Sequence, residues 1–305
     1  MHKPGATSVP TLAAFVRERT GCSWSRAKAL CVDGRVTVDG ERVRDPAVRV
    51  RPDAVVEIHE HGQKVKDEAL PQSAIVYSDR ELVVVDKPAG LLSVADEEGN
   101  IDTLAHYTRA MLRKSDGRSR DGKLGVVHRL DRDTSGLMVF ARTATAQRAL
   151  AAQFRAHDLE RVYHGLAHGA VEAARIETFL LLDRGDGLRG SFGHYRYAPG
   201  EPPAAARKAV TFVKPLQALE GATLIECRLE TGRQHQIRIH LAERGHPLLG
   251  ERVYIRDYTG PRLGAPRTML HARTLGFTHP GTGRVMQFER EAPLDFTALL
   301  DALRH

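Results

Sequence analysis

The sequence has few cysteines, a single tryptophan and no long hydrophobic run, and these absences exclude several classes of protein. Cys22, Cys31 and Cys227 show no paired spacing, so we expect neither a disulfide framework nor a zinc site. No uninterrupted apolar run is longer than five residues, which excludes a transmembrane helix. The first ten residues contain no apolar signal-peptide region, and we therefore expect a cytoplasmic protein that does not contact membranes.

The composition is that of a globular protein with an excess of positive charge. The 305 residues are 42% hydrophobic and 27% charged, which fits about two folded domains and excludes wholesale disorder. Lys and Arg number 45 against 38 Asp and Glu, so the net charge is +7. This excess favours a polyanion such as RNA as a partner but does not establish one.

The chain is predicted to be an α+β protein with two parts of unequal size. Residues 1–60 indicate a small module of two helices, a hairpin turning at Asp39-Gly40 and further short strands. Residues 61–73 are polar and indicate a linker. Residues 74–305 carry recurring strand signals, which predict one large, mainly β domain.

A dense polar segment lies between two apolar runs in the large domain. Val126-Val127 and residues 137–141 predict two strands, and the loop between them carries Asp131 and Asp133. A loop pinned at both ends by buried strands holds its side chains in place and leaves them reachable, which suits catalysis. The residues alone leave open that this is an ordinary charged turn.

A second segment joins a predicted strand to a predicted helix. Residues 225–229 alternate between apolar and polar, which predicts a half-buried strand. Thr231 and Gln234 have the spacing of a capping box, so we expect the helix to begin there. Ile237 and Leu241 are four residues apart and are predicted to face the core.

The polar loop contains the strongest family resemblance in the chain. His128-Arg129-Leu130-Asp131, followed by Thr134-Ser135-Gly136-Leu137, resembles the signature of the RluA-type pseudouridine synthases. Segments 84–91, 231–250 and 270–280 resemble other motifs of that family, in the same order. One departure is Glu251, where the family usually has Asp.

The resemblance implies a fold, an activity and a substrate class. It implies a mixed, mainly antiparallel β-sheet with flanking helices, and an isomerase that converts uridine in structured RNA to pseudouridine without a cofactor. Ribosomal RNA is the favoured substrate, that of the large subunit above all, transfer RNA is a second possibility, and a monomer is expected. The alternatives are a non-catalytic RNA-binding or ribosome-assembly protein on the same fold and, less favoured, a glycoside hydrolase.

The same resemblance assigns roles to four residues of the large domain. Asp131 is expected to be the reacting carboxylate, since a carboxylate can serve as nucleophile or base in such a step. Tyr163 is expected to stack on the uracil, and Arg238 to pair with the aspartate and keep it ionised. Arg129 is expected to assist extrusion of the target nucleotide from its stack.

Further residues are candidates for RNA contacts. Residues 1–60 resemble the alpha-L RNA-binding motif of a small-subunit ribosomal protein, and there Arg26, Lys28 and Arg35 are candidates for one phosphate-binding patch. In the large domain, Arg233 at the predicted helix start favours an anion site. His235 is interpreted as a packing or RNA contact, and it does not have the spacing to form a metal pair with His240. Lys87 is interpreted equally well as support for the active-site floor or as a phosphate contact.

Overall fold

The computed structural model describes residues 10–39, 41–43, 45–58, 70–95, 103–116, 124–194 and 200–304. The chain forms two compact units, Met1–Ala69 and Leu70–His305. Of the predicted linker, residues 61–69 lie outside the described residues and 70–73 belong to the second unit. Gly40 of the predicted hairpin turn also lies outside them. Among the described helices, none is long and apolar enough to cross a membrane.

The first unit has the predicted order of two helices, a hairpin and a further strand. Ser23 caps the second helix, because its Oγ accepts from the Arg26 amide at 3.2 Å and so satisfies a free N-terminal N–H. The strands form an antiparallel sheet in the order β2-β1-β3. The elements are α1 Leu12–Thr20, α2 Trp24–Val32, β1 Val36–Val38, β2 Glu41–Arg42 and β3 Val56–Ile58.

The second unit contains one large sheet and helices on its faces. A short 3-10 helix, Gln72–Ala74, precedes its first strand. Its helices are α3 Leu104–Asp116, α4 Ala144–Ala156, α5 Gln236–Glu243 and α6 Leu294–Ala302. Its strands are β4 Ile75–Ser78, β5 Leu82–Lys87, β6 Gly125–Val126, β7 Ser135–Ala141, β8 Glu160–His168, β9 Ala174–Leu181, β10 Gly190–Ser191, β11 Arg207–Leu219, β12 Ala222–Leu229, β13 Leu270–Thr278 and β14 Val285–Glu289.

The sheet is mixed and mainly antiparallel, which confirms the predicted fold class. Its main path runs β10-β9-β11-β12-β8-β13-β7-β5-β4, with β14 paired to β13 and β6 paired to β7. Of the pairings between described strands, only β7 with β13 is parallel. Gly136 lies at this parallel contact with φ +111°, and a Cβ there would stand 2.2 Å from the Ala272 carbonyl oxygen. No larger residue fits that close approach.

The central strands are buried on both faces. Val83 and Phe140 pack in one hydrophobic cluster with Leu104 of α3. Val84 packs on the opposite face in a second cluster with Leu150 of α4. This two-sided burial explains why β5 and β7 are continuous apolar runs rather than alternating ones. It also makes β7 a rigid anchor for the polar loop that precedes it.

The predicted start of the helix after β12 is wrong. The α5 helix begins at Gln236, and the residue before it, His235, has a left-handed backbone with φ 60° and caps no amide with its side chain. Thr231 Oγ1 instead accepts from the Val210 amide at 2.8 Å and donates to Gln236 Oε1 at 2.9 Å. The threonine therefore joins the segment to β11 and does not form a capping box. The prediction that Ile237 and Leu241 face the core is confirmed, since both are buried.

Candidate active site

The candidate site is built on the loop of residues 127–134, called here the aspartate loop, between β6 and β7. His128 fixes its beginning: the ring stacks on Phe154 with centroids 4.5 Å apart, and Nε2 accepts from the Val139 amide at 3.0 Å. Burial, aided by the charge of Arg161, lowers the pKa of His128 to about 3. The ring therefore serves as a structural acceptor for the backbone of β7.

A buried serine holds the middle of the aspartate loop. Ser93 Oγ accepts from the Leu130 amide at 3.0 Å and donates to the Leu130 carbonyl at 2.7 Å. One hydroxyl thus satisfies both backbone groups of the residue next to Asp131. Ser93 was not singled out in the sequence, where nothing local connects it to a loop 37 residues away.

We expect Ser93→Ala to destabilise the protein and the aspartate loop with it. The substitution leaves a buried N–H and a buried C=O without partners, which lowers the free energy of unfolding by about 1–3 kcal/mol. Denaturant unfolding measures this loss. Ser73→Ala, at an exposed position of the 3-10 helix that precedes β4, is the matched control and is expected to change stability by less than about 0.5 kcal/mol. Equal stability of the two variants would contradict the assignment.

Two buried cations hold the next carbonyls of the aspartate loop. The Lys87 ammonium donates to the carbonyls of Arg132, Leu91 and Pro88 at 2.8, 2.7 and 3.0 Å. The Arg267 guanidinium donates through Nη1 to the Asp133 carbonyl at 2.9 Å and through Nε to Asp295 at 2.6 Å. Arg267 was missed because its partners are distant in sequence, although it lies three residues before the closing motif at Leu270.

The position of Lys87 favours one of its two interpretations. The side chain is fully buried and its three bonds go to backbone carbonyls beneath the aspartate loop. Burial lowers the pKa of Lys87 to about 7, and the charges of Asp133 and Asp131 oppose that change. These contacts favour support of the site floor over direct contact with RNA.

Arg238 and His235 lie beside the two carboxylate oxygens of Asp131. Arg238 Nη1 is 3.4 Å from Asp131 Oδ2, and His235 Nε2 is 3.8 Å from Oδ1. The Asp131 side chain is 19% exposed, so it remains reachable from solvent. Each oxygen of the carboxylate therefore has a basic side chain next to it.

Arg238 is itself held by Glu251. Its Nε and Nη2 donate to Oε2 and Oε1 of Glu251 at 2.7 and 2.8 Å, a bidentate pair that fixes the guanidinium plane. Glu251 Oε1 also accepts from the amides of Val253 and Tyr254 at 2.8 and 3.2 Å. Burial would raise the pKa of Glu251. The hydrogen bonds and charge of Arg238, together with the bonds from the two amides, lower it overall. The sequence analysis identified Glu251 only as a departure from the family pattern and did not predict that it holds Arg238.

His235 is oriented by a tyrosine and by its own backbone. Its Nδ1 lies 2.7 Å from the Tyr254 hydroxyl, and its left-handed φ of 60° is uncommon for a residue other than glycine. Strained backbone of this kind collects at functional sites. Burial lowers the pKa of His235 although Asp131 acts in the opposite direction, which keeps the ring neutral near pH 7.

Tyr163 enters the same site from β8. Its ring is 8% exposed, and its strand is paired on both sides, with Cys227 of β12 and Ala272 of β13 as its partners. Burial raises the pKa of Tyr163, while the charge of Arg161 opposes the rise. The phenol is therefore protonated at neutral pH.

These side chains surround one cavity of about 660 Å³, a size typical of small-molecule sites. Six of the predicted site residues line it: Asp131, Tyr163, Arg238, Arg129, Arg233 and His235. Arg155, His157 and Arg161, which the sequence did not single out, add further basic groups. Among the described residues that line the cavity, Asp131 is the only carboxylate. A negatively charged ligand is strongly favoured in such surroundings.

Other predicted site residues are not among those that line this cavity. Lys87 lies beneath the aspartate loop, as described above. Arg26 and Lys28 are exposed on α2 of the first unit, and Arg35 is half-buried at the start of its hairpin. Within the described residues, no group of three or more His, Cys, Asp or Glu has the geometry to hold a metal ion.

Comparison with known proteins places both units in described families. Residues 81–243 match the model of the family described as RNA pseudouridylate synthase, and residues 12–56 match the S4 domain. The chain is 36% identical to "Ribosomal large subunit pseudouridine synthase D" of Zymomonas mobilis, with 93% of this chain and 90% of the relative covered. It is 36% identical to the protein of that name in Pseudomonas aeruginosa, with 92% and 88% covered.

The fold also matches a solved structure. The structure titled "Human RNA Pseudouridylate Synthase Domain Containing 4" superposes with a TM-score of 0.63 at 22% identity. The match covers 76% of this chain and 93% of that one.

Proposed function

The chain belongs to the RNA pseudouridylate synthase family and is an isomerase, and from this premise we propose that it modifies uridines in the RNA of the large ribosomal subunit. Relatives that cover nearly the whole chain carry that substrate in their names. The observation that carries the proposal is the cavity itself. It holds one carboxylate, Asp131, among arginines that suit a polyanionic substrate. An enzyme with this substrate works where ribosomes are, which agrees with the expected cytoplasmic location.

Asp131 is the reacting group in this proposal. Pseudouridine formation breaks the bond between N1 of uracil and C1′ of ribose and joins C5 to C1′, so the base loses a proton at C5 and gains one at N1. A carboxylate can provide the nucleophile or base for such a step. Arg238 Nη1 lies 3.4 Å from Asp131 Oδ2, and its bidentate pair with Glu251, called here the Glu251 clamp, fixes the guanidinium at that position.

Tyr163 and Arg129 serve the nucleotide. A uridine inside folded RNA must leave its stack to reach Asp131, which costs a few kcal/mol. Tyr163 offers an aromatic surface on the cavity wall, and stacking on an aromatic ring is a common way to hold an extruded base. Arg129 is exposed on the aspartate loop, where its guanidinium can occupy the vacated position or bind phosphate.

The experiment that tests the proposal is pseudouridine mapping of total RNA from cells with and without the gene. We expect one or a few sites in large-subunit ribosomal RNA to lose the modification when the gene is absent. Complementation with the wild-type gene is expected to restore the modification at these sites, whereas complementation with the Asp131→Asn gene is expected not to restore it. Loss of sites only in transfer RNA would contradict the substrate, and an unchanged map would favour a non-catalytic RNA-binding role.

The first unit is proposed to contribute affinity and no chemistry. We expect deletion of residues 1–60 to weaken binding to a long ribosomal RNA fragment and to leave turnover of a short minimal substrate nearly unchanged. The second unit has its own core and the whole candidate cavity, which is why the chemistry is expected to persist. Turnover rates on the long and the short RNA give the comparison. An equal loss on both would contradict this division of labour.

A further inference from the structure

Trp24 is a large aromatic side chain on the surface of the first unit. It is the only tryptophan among the 305 residues, it begins α2, and it is 46% exposed. Tryptophan is on average well buried, and it is enriched at sites where a surface meets a partner. The Ser23 cap fixes the backbone directly before it, so the ring is presented from a rigid helix start.

The surroundings of Trp24 are basic as well as apolar. The Arg17 guanidinium from α1 lies 5.1 Å from the ring centroid, a cation–π distance. A shallow cleft of about 510 Å³ next to the ring is lined by Ala14, Arg17, Glu18, Gly21, Cys22 and Trp24. Lys28 is four residues after Trp24 and therefore on the same face of α2, and Arg26 is exposed on the same helix.

We propose that Trp24 is a stacking platform for an unpaired base of the substrate RNA. This inference rests on the proposed function, because it takes RNA as the ligand. Bases of single strands and loops stack on exposed aromatic rings whatever their sequence, and neighbouring cations bind the backbone of the same strand. Arg17 and Lys28 supply such cations beside the ring.

The charge pattern favours RNA over a protein partner. Lys is depleted at the centre of a protein–protein interface, whereas the ring of Trp24 shares its helix face with Lys28. A double-stranded segment has no free base face to offer. The occupant is therefore an unpaired nucleotide, with its base on the indole and its phosphates near the basic side chains.

The single tryptophan makes this proposal directly measurable, because the indole emission of the full chain reports only Trp24. We expect a large-subunit RNA fragment with an unpaired loop to quench the emission as it binds. A fully paired RNA of equal length is expected to bind without comparable quenching. Saturating binding of the loop RNA, followed independently by anisotropy of labelled RNA, with no change in emission would overturn the proposal.

Substitutions give a second measurement. We expect Trp24→Ala to weaken binding of the loop RNA by about 5- to 150-fold, and Trp24→Phe to keep most of the affinity. Val55→Ala removes another exposed apolar side chain of the same unit, 63% exposed, and is expected to bind like the wild type. Wild-type affinity in Trp24→Ala, or an emission change that follows protein concentration without RNA, would overturn the proposal, the latter in favour of a second copy of the chain.

The two levels of inference fail separately. Quenching by loop RNA together with an unchanged pseudouridine map would leave the stacking platform intact and remove the proposed substrate. A changed pseudouridine map without quenching of the Trp24 emission would support the proposed substrate and overturn the stacking platform.

Discussion

Asp131→Asn is expected to abolish turnover and leave RNA binding in place. The substitution removes the charge and the basicity of the carboxylate and keeps its shape, so the expected loss of rate is at least about 10²–10⁴-fold. Folding should survive because Arg238 keeps its two bonds to Glu251. Single-turnover assays with purified protein measure the rate, and anisotropy with labelled RNA measures the affinity.

Asp133→Asn is the matched control for this experiment. Asp133 is in the same loop, two residues on, and its carbonyl is held by Arg267, but it is not among the residues that line the cavity. We expect it to keep close to the wild-type rate. An Asp131→Asn rate close to that of the wild type would remove Asp131 from its proposed role, and loss of turnover in Asp133→Asn alone would transfer that role to the second aspartate.

The local pattern of the sequence was sufficient for the elements that frame the site. Two apolar runs predicted the strands on either side of the aspartate loop, and they are present as β6 and β7. Apolar spacing predicted which side of α5 faces the core. These predictions succeed because the number of buried faces of a strand or helix sets the spacing of its apolar residues.

The contacts that hold the site were not predictable in the same way. The predicted start of α5 was wrong because the Thr231 hydroxyl accepts from the amide of Val210, a residue of β11. No local sequence motif indicates such a partner. Ser93 and Arg267 hold the aspartate loop from 37 and 134 residues away. Such partners are set by the tertiary fold, so the family resemblance could indicate Asp131 but not what fixes it.

Glu251→Gln is expected to show that Arg238 depends on a buried partner. The variant keeps the size of the side chain but leaves the Arg238 charge without its bidentate acceptor. Breaking a buried pair in this way lowers the free energy of unfolding by about 3–5 kcal/mol. We also expect kcat to fall more than KM rises, because Arg238 is proposed to orient Asp131 and Glu251 is not among the residues that line the cavity.

The pH dependence of this variant has a definite sign. The pKa of Glu251 is lowered in the folded protein, so its contribution to stability is complete above the unfolded-state pKa and is lost as the pH falls through the folded-state pKa. The stability difference between wild type and Glu251→Gln should therefore be largest at neutral pH and shrink in acid. Denaturant unfolding over a pH series measures it, and a difference that grows towards acid pH would contradict the clamp.

Glu251→Asp keeps the charge and separates the clamp from simple charge balance. Aspartate is the residue that the family resemblance leads us to expect here, and it is shorter than glutamate by one methylene. In the present backbone it cannot reach both Arg238 nitrogens and still accept from the Val253 and Tyr254 amides, at the distances that Glu251 spans. We therefore expect a smaller loss of stability and rate than in Glu251→Gln. The Arg238 guanidinium also lies 5.4 Å from the centroid of the Tyr254 ring. If both variants match the wild type, Asp131 and this ring are sufficient to hold Arg238, and the buried carboxylate has no part in positioning it.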